Sequence, residues 1–305
     1  GGFEIARTRF AFTGHVIDPT WQYMIWTGHH CDGNDLLLDV WIKKVLGGGW
    51  SITAGQFKVP FWREWLVSET KQQFVERSLL KGMFAGGYTQ GVRLDYGSDR
   101  LHLALSLNDG TAGRNKIWST EDTEVAGSVR GEWLAAGDWK QYADFESWPG
   151  GSFMLVLGGA VHYQQGEYGT GTDEADSVRW TADAAAEFGR LNLFAAVAGH
   201  HVDNGSDVDP LGVLVQGGLF VTDQLEAIVR YEWGDADSGA DPTLSVVTVG
   251  ANYFFHGHHL RLTSDLSYAF EPVDPVWASS SAGFLADAPG EAGQLVFRTQ
   301  LQLIF

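Results

Sequence analysis

Apolar and polar residues alternate one by one along much of this chain, and its last eleven residues show the pattern most cleanly. From Leu295 to Phe305, a period of two puts Leu295, Phe297, Thr299, Leu301, Leu303 and Phe305 on one face of a strand, with Arg298, Gln300 and Gln302 on the other. The same division recurs upstream. Between 260 and 270, Leu262, Leu266, Tyr268 and Phe270 oppose Arg261, Thr263, Asp265 and Ser267. Between 225 and 233, Leu225, Ala227, Val229, Tyr231 and Trp233 oppose Glu226, Arg230 and Glu232, and the leucines of 101–107 oppose His102, Ala104 and Ser106. A soluble sandwich would turn such leucines onto a second sheet. Recurrence in nearly every segment, together with a terminal aromatic, instead predicts one lipid-facing and one water-facing side. That is the pattern of an all-β, transmembrane antiparallel β-barrel.

Turn signals fall every 10 to 20 residues and alternate between tight and long connections. Segments 3–14 and 20–28 flank a turn at 16–19, 36–46 and 50–61 flank Gly47-Gly48-Gly49, and 88–97 and 100–109 meet at 97–99. Later pairs join at 189–190, 222–223 and 256–258, with polar loops at 166–176, 203–209, 234–241 and 271–290. Short turns at one rim and long loops at the other characterise membrane barrels. The count is about fifteen strands. Even parity predicts sixteen, with one strand missing before Phe3, and the opening Gly1-Gly2-Phe3 lacks a signal-like segment. The whole of 1–305 is expected to form a single transmembrane β-barrel domain, with 62–86 as an inward-folded constriction loop. The segment 136–150 is too long for a simple turn on the short-turn rim.

Composition narrows the choice. No run approaches the ~20 apolar residues of a spanning helix, and the single Cys31 excludes an internal disulfide framework. A formal charge of −18 fits acidic external loops and does not identify a permeant. Trp21, Tyr96, Trp133, Tyr163, Trp180, Trp233, Tyr253 and Tyr268 lie near strand ends, where interfacial girdles form.

Particular residues also carry a resemblance. Gly55-Gln56-Phe57-Lys58-Val59-Pro60-Phe61, followed by Phe74-Val75-Glu76-Arg77-Ser78-Leu79, resembles the strand-and-loop signature of the phosphate-selective porin O and P family. Ala6-Arg7-Thr8-Arg9-Phe10-Ala11-Phe12-Thr13-Gly14 is similar to that family's arginine-bearing second strand, and the order of the next strands matches over about residues 3–96. The resemblance implies a sixteen-stranded homotrimeric porin of the bacterial outer membrane, its first strand absent here and the loop after Phe61 narrowing the pore. Lys71 lies about one residue out of register with the loop lysine that phosphate-selective members carry. Phosphate preference is therefore an expectation of the resemblance, while the residues themselves support passive diffusion of small hydrophilic or anionic solutes.

Alternation places Arg7, Arg9, Lys43, Lys58, Arg93, Arg130, Arg179, Arg230, Arg261 and Arg298 on the water-facing side, half of the 20 basic residues, which favours a water-filled interior. Asp39, Asp95, Glu132, Asp183, Glu187, Glu226, Glu232 and Asp265 share that side, so the wall is mixed. The candidate pore-lining set is Arg7, Arg9, Lys43, Lys58, Lys71, Arg77, Arg93 and Arg130, with Arg7, Arg9 and Lys58 expected at the narrowest zone. A weakly selective or structural outer-membrane barrel is the alternative. Lipid, small ions and polar solutes are the expected partners, with no nucleic acid, no cofactor, no metal and no catalytic residue. His29-His30-Cys31-Asp32, His200-His201 and 256–259 read as surface histidines, and the aspartates of 203–209 lack the register of a calcium loop. An enzyme barrel would need a nucleophile beside a histidine. His102 and Ser106, the nearest approach, stand about 13 Å apart at ~3.3 Å per residue.

Overall fold

The alternating segments form strands that pair in chain order. The computed structural model describes residues 2–30, 35–111, 113–115, 123–167, 174–203, 207–238, 243–288, 291 and 293–305. The first eight strands are β1 (Arg7–His15), β2 (Trp21–His30), β3 (Asp35–Gly47), β4 (Trp50–Lys58), β5 (Tyr88–Gly97), β6 (Leu101–Asn108), β7 (Thr123–Ala136) and β8 (Met154–Glu167). The others are β9 (Glu174–Phe188), β10 (Leu191–Asp203), β11 (Asp207–Val208), β12 (Leu211–Phe220), β13 (Leu225–Asp235), β14 (Thr243–His256), β15 (Leu260–Ala269) and β16 (Leu295–Leu303). All lie in one sixteen-stranded antiparallel sheet of barrel-like form, with fifteen strands on a continuous path and β11 paired beside β10. Residues 3–6, expected to begin a strand, carry none, because the β1–β2 ladder runs only from Arg7 opposite His30 to His15 opposite Gln22. Among the described residues no ladder joins β1 to β16, and a cavity of about 590 Å³ touching Arg9, Phe12, Leu301 and Phe305 lies there.

The faces divide as the alternation requires. On β6, Leu103, Leu105 and Leu107 are 40, 49 and 69% exposed, whereas Ser106 between them is 1% exposed. Each leucine left on that outer face forgoes roughly 1.5–3 kcal/mol of burial in water, which a hydrocarbon surrounding restores. Trp133, Tyr163, Trp180, Tyr253 and Tyr268 lie exposed on this face, and Trp21, Tyr96 and Trp233 are half-buried. Tight turns need glycine where the chain reverses between β3 and β4, with φ of 90°, 59° and 86° at Gly47, Gly48 and Gly49.

Among the described residues, three connections turn large apolar side chains inward. The first, 59–87, carries the single-turn helices α1 (Arg63–Leu66) and α2 (Lys81–Phe84) and buries Phe61, Trp62, Leu80 and Phe84. The second, 137–153, buries Tyr142 and Phe145, and the third, 270–294, buries Val273, Trp277 and Phe284. They share one apolar core with Leu134, Val156, Phe194, Leu214, Leu244 and Val246 of the inner wall. The interior is therefore filled over much of its width, rather than open as the count of inward charges suggested. The long 136–150 segment contains a 3₁₀ turn, Gln141–Ala143. The glycine pair at 158–159 serves close packing, since a Cβ on Gly158 would meet the Asp183 carboxylate and the Arg130 guanidinium. The same holds at Gly218 against Glu226 and Gln73. The expected loops at 166–176, 203–209, 234–241 and 271–290 fall partly outside the described residues, and Cys31 and Asp32 lie outside them.

Candidate pore and its charged lining

The 59–87 segment crosses the interior and docks against the wall of β9 to β16. At its far reach the fully buried Gln73 amide donates to Asn192 (3.1 Å) and Glu226 (2.9 Å), while Asn252 donates to the Gln73 carbonyl (3.0 Å). The Val75 amide donates to Asp265 (2.9 Å), the Leu79 amide to Glu232 (2.6 Å), and Arg230 to the Glu76 carbonyl (2.9 Å). Inside the segment, Glu64 receives the Ser78 amide and hydroxyl at 2.7 and 2.6 Å. These bonds leave few buried donors of the loop unmet, which is what fixes an irregular chain in a barrel interior.

Arg7, Arg9 and Arg77 converge on this loop's acids. Arg7 pairs with Glu76, Arg9 lies 3.1 Å from Glu69, and Arg77 reaches Glu69 at 3.4 Å and the Val67 carbonyl at 2.8 Å. Gly28 makes room for Arg9, because a Cβ there would strike the guanidinium. Burial works to raise the Glu69 carboxyl, yet Arg77, Arg7 and Arg9 hold it down at about 2. Lys58 stands nearby, donating to the Trp65 carbonyl (2.6 Å) with its ammonium 5.3 Å from the Trp65 ring centre. The structure thus brings Arg7, Arg9, Arg77 and Lys58 to one zone, where carboxylates and carbonyls already occupy them. The sequence shows Glu69 and Glu76 as acids of the loop, but not that they meet Arg7 and Arg9.

Lys43 and Arg93 lie apart from this zone, beside a cavity of about 450 Å³ that also touches Arg63, Asp95, His102 and Glu132. Arg93 pairs with Asp95 at 2.9 Å, whereas Lys43 makes no hydrogen bond or ion pair among the described residues. Arg130 is a buried brace: it holds Asp183 at 2.8 Å, Glu132 at 2.9 Å and the Phe61 carbonyl at 2.8 Å. Lys71 sits half-buried in the 3₁₀ turn Glu69–Lys71, with no ion pair among the described residues.

Strand register reveals a feature no single strand contains. Directly opposed residues run His15, Gln22, Lys43, Thr53, Arg93, Ser106, Ser128, His162, Arg179, His200 across β1 to β10. This row holds two arginines, a lysine and three histidines, and no carboxylate. It begins at the end of β1 beside a short turn and ends nine residues into β10, about 30 Å along that strand at ~3.3 Å per residue. Strand tilt makes such a row climb the wall. Its lower part borders the 450 Å³ cavity, and Arg179 and His200 border another of about 350 Å³ near the long-loop rim. Ser106, Ser128 and His162 between them are buried, with Ser128 Oγ 2.8 Å from His162 Nδ1.

The other candidates resolve as structure. His200 turns inward onto Ser177 (2.8 Å) and His201 outward onto Asp209 (2.7 Å), the opposite faces expected of neighbours on a strand. His29 is exposed, and the His30 side chain lies outside the described residues. His102 stacks on Trp139 at 3.7 Å, and Ser106 Oγ accepts from Asn108 at 2.9 Å, so the two form no nucleophile–base pair. Ligand atoms of Asp144, Glu146 and His258 converge within 4.8 Å. Arg261, 3.0 Å from Glu146, already supplies a counter-charge there, and the group stands as an ion-pair network.

A sheet that wears its apolar face outward and lines its interior with paired charge defines an outer-membrane β-barrel channel. The chain belongs to the phosphate-selective porin O and P family, whose model matches residues 1–268, and it is an outer-membrane porin. Its fold resembles an anion-selective porin from Comamonas acidovorans, at 14% identity and TM-score 0.62, covering 97% of this chain and 89% of that one. Outer-membrane expressed OmpT of Vibrio cholerae (13% identity, TM-score 0.59, 97% and 88% covered) is similar. So is OmpF of Salmonella typhi in complex with daunomycin (14% identity, TM-score 0.57, 97% and 90% covered). Comparison with curated protein sequences gave no match.

Proposed function

We propose that this porin is a homotrimeric, non-enzymatic diffusion channel that favours small anions, phosphate among them, and that Lys43, which no carboxylate pairs among the described residues, is the residue that attracts them, with Arg93 held by Asp95 beside it. The observation that carries this reading is the row from His15 to His200, whose fixed charges are all cationic. Field focusing by a low-dielectric wall lets such a row outweigh acidic loops that are screened over about 8 Å at physiological salt. Arg7, Arg9 and Arg77 serve differently in this account. Each meets a loop carboxylate, so they hold the constriction loop in place and contribute little to the potential felt by a solute.

Lys43→Ala tests the assignment, because this side chain has no ion-pair partner to strand when it is removed. Reversal potential in a planar bilayer under a salt gradient should move toward cations, while the folded fraction stays at the wild-type level. An unchanged reversal potential would remove Lys43 from the selective path.

A further inference from the structure

The connection from β7 to β8 has a size and a position that the pore reading leaves unexplained. Other connections at the short-turn rim, from 16–20 to 257–259, hold two to five residues, whereas 137–153 holds seventeen. It turns under the barrel. On the near side, Trp139 donates to the Ser98 carbonyl (2.9 Å) and stacks on His102 of β6. In the middle, the Arg63 guanidinium of the constriction loop lies 3.6 Å from the Tyr142 ring centre and donates to the Tyr142 carbonyl. On the far side, Phe145 meets Phe194 of β10 at 5.0 Å, and Trp148 packs on Phe220 of β12 (5.2 Å) and Phe254 of β14 (4.8 Å). Asp144 lies 3.2 Å from His258 Nε2, between β14 and β15, and Glu146 lies 3.0 Å from Arg261 of β15.

The segment therefore reaches from β6 to β15, held at the near end by the half-buried Trp139 and at the far end by buried groups. Glu146 is 1% exposed, and burial beside Asp144 raises its carboxyl well above the ordinary value, with Arg261 opposing. A free turn would not bury a carboxylate unless its ion pair and aromatic neighbours fixed it there. Two residues that line the 450 Å³ cavity together with Lys43 and Arg93 rest on the strap, His102 on Trp139 and Arg63 on Tyr142.

We propose that residues 138–152 form a second constriction, a strap across the short-turn mouth that sets the size limit for solutes leaving or entering the Lys43–Arg93 cavity. The 59–87 loop narrows the middle of the barrel, and the strap narrows its end. This rests on the channel reading above, and the test separates the two.

One variant replaces 138–152 with a two-residue turn like that between β9 and β10. A second, Trp148→Ala with Asp144→Asn, removes the Trp148 packing and the Asp144–His258 pair from the far anchor and leaves Tyr142, Phe145 and the Glu146–Arg261 pair in place. Single-channel conductance and exclusion of graded polyethylene glycols are measured on protein shown to be folded by its heat-modifiable mobility. Both variants should conduct more, by roughly two-fold for the replacement, and admit larger polymers than the wild type. Wild-type conductance and the same polymer cut-off in a folded variant would overturn the strap; the anchor variant decides alone if the replacement fails to fold. A wild-type protein without conductance would overturn the channel reading itself, and the strap with it.

Discussion

Glu69 illustrates how far a single side chain could be read in advance. That Arg7 and Arg9 share the inner face followed from alternation, but what they face depends on a loop sixty residues away in sequence, whose path no period describes. The loop supplies Glu69 and Glu76, and the expected cationic throat becomes an ion-paired anchor. This gives a pH dependence with a definite sign. The Glu69 carboxyl is held at about 2, below its ordinary 4.5, so its contribution to loop docking is complete above about pH 4.5 and is lost as pH falls through about 2. Open-channel current should be quiet at neutral pH and grow noisy as acid enters that window. Glu69→Gln should be noisy at neutral pH already. A variant as quiet as the wild type would show that the loop needs no charge at Glu69.

Strands were the most legible elements and inward connections the least. A lipid face and a polar face impose a period of two, which is why β6, β13, β15 and β16 could be assigned residue by residue. The segments 59–87 and 137–153 bury side chains in all directions and keep no period. α1 and α2, at four residues each, are too short for helical periodicity to register. Residues 3–6 were over-read because alternation names a face and cannot name a partner strand. The row from His15 to His200 was hidden for a related reason, as it exists only once nine registers are known. For the constriction loop, Gln73 is the element's main fastening at the far wall. Gln73→Ala should weaken docking there by roughly 1–3 kcal/mol, by stranding polar groups of Asn192, Glu226 and Gln216. Flickering conductance with unchanged resistance of the barrel to heat is the expected result; a loss of both would place Gln73 in the barrel's own stability.

The whole molecule divides into two halves around its circumference. Along β7 to β16 the inner wall is packed by the three inward connections and by neutral pairs such as Arg130–Asp183, Arg230–Glu232 and Arg298–Asp265. Along β3 to β6 the wall borders the larger opening at Lys43 and Arg93, with a smaller one at Arg179 and His200. On the outer face the exposed apolar band requires lipid or detergent, and three copies could share part of it. Mass measured in mild detergent should correspond to three chains, and a single-chain mass with full conductance would restrict the pore reading to monomers.

The opposed row also has a definite length. Crossing nine gaps between strands, at ~4.8 Å each, it runs for about 43 Å, against a hydrocarbon core of ~30 Å. Thr53, Ser106, Ser128 and His162 along it are buried, so an ion meets it as two stops, at Lys43 and Arg93 and again at Arg179, instead of as a continuous rail.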